Sequence, residues 1–254
     1  MELAQRPIGV FDSGVGGLSI LREIHVQLPD EDVLYVADQE WAPYGSKTLD
    51  AVQRRSVAVA AELIGRGAKL VVVACNSASA AALHHLRNVF PDTPFVGMEP
   101  ALKPAAAHTD KGVIGVLATE TTFQGELYAS VLDRHTAGVD VIEVAGARLA
   151  MLVETGELAE AKADLEGLLR PMLDAGIDTL VLGCTHYPFL EDQIRDVVGP
   201  DIRLVDPAQA VSRQVRRVLA ERGALRHGHG STSYLTSGDP GRFEAQAMEL
   251  IGYT

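Results

Sequence analysis

Sulfur and aromatic side chains are scarce in this chain, and long apolar runs are missing altogether. Its 254 residues include two cysteines, Cys75 and Cys184, and aromatics make up only 5%. Two thiols cannot build a disulfide framework, so the fold must rest on a hydrophobic core. At 47% hydrophobic residues that core is available, which excludes a disordered or fibrous chain. The most apolar stretch, Leu70-Val71-Val72-Val73-Ala74-Cys75, falls far short of the roughly 20 residues that cross a bilayer, so no membrane partner is expected. Residues 1–7 hold no run of signal-peptide length, which points to a cytoplasmic protein with free thiols. Basic residues are outnumbered, 22 against 34 acidic, for a net charge of −12. A chain of that sign repels polyanions, so no nucleic-acid partner is expected.

What is there is an alternation of short β-branched runs with amphipathic stretches, the pattern of an α/β fold with mostly parallel sheets covered by helices. Strands are expected at residues 8–11, 33–37, 70–74, 95–97, 113–117, 139–144, 179–182 and 202–205, with a late strand at 234–236. Between residues 48 and 66, Leu49, Val52, Val59, Leu63 and Ile64 recur at near-helical spacing. A further helix is expected from 208 to 222.

A weak internal repeat organises these elements. Ile8-Gly9-Val10-Phe11-Asp12-Ser13 resembles Ile114-Gly115-Val116-Leu117-Ala118-Thr119, at an offset of 106. Leu70 to Ser77 resembles Thr179 to His186, at an offset of 109, and this second match superposes Cys75 on Cys184. The reading is therefore two similar α/β domains related by a pseudo-twofold axis, with the active site in the cleft between them. One would comprise residues 1–97 plus 208–254, and the other residues 98–207. Arg226-His227-Gly228-His229-Gly230-Ser231 reads as an exposed loop, because its His-x-His has no third ligand close in sequence.

In open α/β sheets ligands bind beyond the carboxyl ends of strands. Four polar clusters fall there: Asp12-Ser13-Gly14, the stretch from Asp38 to Gly45, Cys75-Asn76-Ser77, and Cys184-Thr185-His186. Two thiols facing one cleft suit inversion of a carbon stereocentre beside a carboxylate, which needs a base on one face of Cα and an acid on the other. Asp12 and His186 are the neighbouring titratable groups. Asn76, Ser77 and Thr185 offer donors to carboxylate oxygens and to the charge that develops on deprotonation. Asp12 could equally cap the turn that follows it, and Gly14-Val15-Gly16-Gly17 could be only a tight strand-to-helix connection. No nucleotide motif is present, and no lysine has a convincing setting for a pyridoxal Schiff base, so no cofactor and no metal are expected.

Taken together, Gly9-Val10-Phe11-Asp12-Ser13-Gly14-Val15-Gly16-Gly17, Pro43-Tyr44-Gly45, Ala74-Cys75-Asn76-Ser77-Ala78 and Gly183-Cys184-Thr185-His186-Tyr187-Pro188 resemble the glutamate racemases of the aspartate/glutamate racemase superfamily. The resemblance runs through Thr236-Ser237-Gly238-Asp239-Pro240, nearly the whole chain. It implies cofactor-independent interconversion of L- and D-glutamate, supplying D-glutamate for bacterial peptidoglycan. By the same resemblance Cys184 takes the α-proton of L-glutamate and Cys75 that of D-glutamate, with His186 assisting the former and Asp12 the latter. The substrate would be held by Asp12, Ser13, Tyr44, Gly45, Asn76, Ser77, Thr185 and His186, with Asp38 and Glu154 in support and a homodimer as the assembly. Three places depart from the commoner family pattern: Ser77 stands for threonine, Gly125 for serine, and Ala145-Gly146 for Cys-Pro.

Overall fold

The computed structural model describes residues 2–252. Its first half runs β1 (Ile8–Asp12), α1 (Leu18–Gln27), β2 (Val33–Ala37), α2 (Leu49–Gly65), β3 (Leu70–Val73), α3 (Asn76–Val89) and β4 (Phe95–Gly97). Next come α4 (Leu102–His108), β5 (Val113–Ala118), α5 (Glu120–Gln124), α6 (Glu126–His135), β6 (Asp140–Ala145), α7 (Ala147–Thr155), α8 (Ala161–Asp174), β7 (Thr179–Gly183), α9 (Glu191–Val198) and β8 (Arg203–Val205). The tail contributes α10 (Ala208–Glu221), β9 (Thr232–Thr236) and α11 (Pro240–Ile251).

These strands form two all-parallel sheets, ordered β4-β3-β1-β2-β9 and β6-β5-β7-β8. Read in one direction the two orders are the same, with β1 corresponding to β5, β2 to β6, β3 to β7 and β4 to β8. The repeat that superposes residue 9 on 115 and Cys75 on Cys184 is thus a repeat of topology, and β9 is the one strand without a counterpart. The chain leaves the first sheet after β4 and returns to it through α10 and β9. Buried apolar residues do not divide in the same way. Val10 and Val72 group with Leu117 and Leu180, whereas Phe11 and Val71 group with Ile114 and Val181, so each apolar cluster draws on both sheets.

Local chemistry explains the elements that carry the site. All residues of β1, β2, β3 and β7 are buried, as expected of parallel strands covered on both faces. Thr48 caps α2 by accepting from Ala51 N–H. Helix α11 is not among the elements expected from the sequence, although Asp239 caps it, accepting from Arg242 N–H, and Pro240 occupies its first turn. His227 and His229 lie outside any element, in the expected loop. Among the described residues no helix is long and apolar enough to cross a membrane.

Candidate active site

Both cysteines follow central strands, Cys75 after β3 and Cys184 after β7, at equivalent places in the two sheets. Cys75 is also the N-cap of α3, and its sulfur accepts from Ala78 N–H at 3.5 Å. Both thiols are free and buried, and both line one narrow cleft of about 330 Å³, counting its open mouth.

The first half contributes Ser13, Tyr44, Gly45, Asn76 and Ser77 to the cleft, and the second half contributes Thr185 and His186 beside Cys184. Ser13 Oγ lies 4.0 Å from Cys75 Sγ. Asn76 is buried, and among the described residues neither its amide nitrogen nor its amide oxygen has a hydrogen-bond partner. Unmet hydrogen-bonding capacity of that kind is costly unless a ligand supplies it.

Outside the cleft wall lie Asp38 and Glu154, expected in support, and, of the residues expected to react with or hold the substrate, Asp12 alone. It is fully buried at the end of β1, where Oδ2 accepts from Gly14 N–H at 3.0 Å and Oδ1 from the Thr185 hydroxyl at 3.3 Å. It therefore caps the glycine turn and also reaches the Cys-Thr-His segment. Burial raises its carboxyl above the ordinary range and the Glu154 charge adds to this, against the pull of His186. Burial also pushes the Cys75 thiol well up, and Asp12 pushes it further.

On the other wall a chain of contacts runs inward from Cys184. Its sulfur lies 3.4 Å from His186 Nδ1, and His186 Nε2 lies 2.6 Å from Glu154 Oε1, which also accepts from Val15 N–H at 2.8 Å. Burial works against charge on His186, but Cys184 and Glu154 outweigh it and hold the imidazole well above its usual range. Burial likewise opposes the charge on Glu154, and the bond from His186 reverses this, so its carboxyl sits low. The glycine turn must lie close over this pair: a side chain at residue 14 would meet the Glu154 carboxylate, and one at residue 16 would come within 2.6 Å of the His186 ring.

Asp12, Glu154 and His186 place three possible ligand atoms within 4.8 Å of one another, and among the described residues they are the group that could hold a metal ion. Their oxygens and ring nitrogens are already engaged by Gly14, Val15, Thr185 and Cys184. The donor set fits a hydrogen-bonded relay better than a coordination shell.

Two contributors were not singled out from the sequence. Thr119 lines the cleft, and its hydroxyl lies 2.9 Å from that of Ser77. It is the repeat counterpart of Ser13, so the signal was present. Arg55 binds both oxygens of buried Asp38, Asp38 accepts from the Tyr44 hydroxyl at 2.5 Å, and Tyr44 forms part of the cleft. Nothing in the spacing of α2 marks Arg55 for this. The departures at residues 77 and 125 lie at contacts between the halves. Ser77 meets Thr119, and a side chain at 125 would come within 2.5 Å of Ala80 Cβ, which explains glycine there.

Residues 8–215 match the Asp/Glu/hydantoin racemase family. The chain is 51% identical over 247 residues to the glutamate racemase of Roseiflexus sp. (strain RS-1), covering 95% of this chain and 91% of that one. Its fold is similar to the crystal structure of a glutamate racemase isoform from Bacillus anthracis, with a TM-score of 0.90 and 34% identity over 99% of this chain and 96% of the other. It is also similar to the glutamate racemase of Francisella tularensis crystallised with D-glutamate, with a TM-score of 0.86 and 27% identity over 98% and 94% of the two chains.

Proposed function

Because the chain belongs to the Asp/Glu/hydantoin racemase family, and is therefore an isomerase, we propose that it interconverts L- and D-glutamate by a two-base mechanism without a cofactor. The observation that carries this reading is the pair of buried thiols at equivalent strand ends, both lining one cleft.

In the L-to-D direction the Cys184 thiolate removes the α-proton, and the electron pair left on Cα spreads into the adjacent carboxylate. The Cys75 thiol then delivers its proton to the opposite face. The reverse direction exchanges the roles, so one thiol and one thiolate serve both. Asn76 offers unpartnered donor and acceptor groups to the substrate, and Ser13, Tyr44, Gly45, Ser77 and Thr185 complete the binding site. His186 assists Cys184 and Asp12 assists Cys75. The product D-glutamate would serve peptidoglycan synthesis in the cytoplasm, and the working assembly would be a homodimer. The division of the chain into residues 1–97 plus 208–254 and residues 98–207 belongs to the same proposal.

Circular dichroism of L-glutamate in D2O, with EDTA present, no pyridoxal phosphate added and L-aspartate in parallel, tests the reading. The expected result is decay of the glutamate signal with deuterium appearing at Cα and aspartate unchanged. An unchanged glutamate signal overturns it. Replacing either Cys75 or Cys184 by serine should abolish most racemisation, and full activity in either variant would remove the two-base mechanism.

A further inference from the structure

The chain of contacts behind Cys184 reaches a second cavity. Glu154 is absent from the wall of the substrate cleft but forms part of a second cavity, of about 860 Å³ counting its open mouth, with Gln39, Met151, Thr155, Asp239 and Arg242. Its side chain keeps 10% of its surface exposed, against 3% for His186. Space of that size, bounded by charged and polar groups, admits water. Asp12, the carboxylate neighbour of the other thiol, is fully buried and lines neither cavity.

We propose that Cys184 exchanges protons with solvent through His186 and Glu154 into this second cavity, a path separate from the one the substrate uses. This rests on the two-thiol reading of function. After removing an α-proton, the Cys184 thiol passes it to His186 Nδ1 as the Nε2 proton moves to Glu154 Oε1. Glu154 then releases a proton to water in the second cavity, which leaves the thiolate facing the ring's other neutral tautomer, with its proton now on Nδ1. No net bond changes other than the proton's, and water is the acceptor. The path matters because each L-to-D turnover leaves Cys184 protonated, and the enzyme must lose that proton before it can accept L-glutamate again.

The reset is measurable. At high concentrations of both enantiomers the interconversion of the two free-enzyme forms limits net racemisation, whereas at low substrate it does not. Met151→Phe and Thr155→Phe, singly and combined, fill the second cavity from α7 without touching the cleft. The expected result is a racemisation rate at low substrate within about twofold of the parent and a reset rate lower by about fivefold or more. The parent's reset rate should also rise with a small buffer such as imidazole and be insensitive to a bulky one, and the filled variants should lose that response. A buffer-independent reset in the parent, or an unchanged reset in variants that still racemise, overturns the route alone. Absence of glutamate racemisation in the parent overturns the proposed function and this route with it.

Discussion

The hydroxyls of Ser77 and Thr119 lie 2.9 Å apart and join the segment that carries Cys75 to the first turn after β5. Thr119 also meets Thr122 at 2.9 Å, so the contact continues into α5. Ser77→Ala should therefore loosen the two cleft walls relative to each other. We expect a loss of about 1 kcal/mol in urea denaturation and a raised KM, with Ser77→Thr close to the parent because it keeps the hydroxyl.

Burial pushes the Cys75 thiol well up, and the Asp12 charge beside it pushes it further. In a Cys184→Ser background Cys75 is the single thiol, and its thiolate absorbance can be titrated directly. The midpoint should lie well alkaline of an ordinary cysteine. Removing a negative neighbour favours the thiolate, so adding Asp12→Asn should lower the midpoint by about one pH unit. An upward movement would contradict the assignment. Because the two enantiomers have equal free energy, kcat/KM for L- and D-glutamate must share one pH profile in the parent.

Arg55 acts on the cleft at second hand. It binds both oxygens of Asp38, and Asp38 takes the Tyr44 hydroxyl. Arg55→Ala leaves a buried carboxylate without its cation, and Tyr44 loses its fixed direction. Steady-state kinetics should show KM raised about tenfold with a smaller change in kcat, and Arg55→Lys should recover part of the loss because an ammonium cannot bind both oxygens in a fork.

Away from the site, Lys69 and Glu31 form an ion pair with both side chains essentially unexposed, and Lys69 Nζ also donates to the carbonyls of Ala4 at 2.8 Å and Ala224 at 3.0 Å. This pair ties the N-terminal segment and the loop after α10 to the start of β3. Lys69→Met strands the Glu31 carboxylate and should cost about 3 kcal/mol by urea denaturation. Removing both charges together, as Lys69→Met with Glu31→Leu, should recover part of that loss.

Much of this fold is legible in the sequence because parallel strands buried on both faces need unbroken β-branched runs, and such runs stand out. β3 and β7 match each other in sequence alone, and with them Cys75 and Cys184. The cleft residues next to those strands followed for the same reason. Less visible were groups whose role depends on a partner distant in sequence. Glu154 is one acidic residue in α7, and its bonds to His186 and Val15 arise only when two halves of the chain meet. Arg55 is one of two adjacent arginines in α2, and only the folded path of the 38–44 segment shows which of them binds Asp38. Strand β9 and helix α11 carry local signals, but the pairing of β9 with β2 spans nearly 200 residues of chain and has no counterpart in the repeat.

The return of the chain to its first sheet has a mechanical consequence. The polypeptide passes between the sheets twice, after β4 and again after β8, and Gly97, Pro100 and Pro207 from the two passages border one common cavity. Two tethers set side by side act as the pins of a door. They leave rotation about the line that joins them as the softest relative movement of the two sheets, and they resist twisting and sliding.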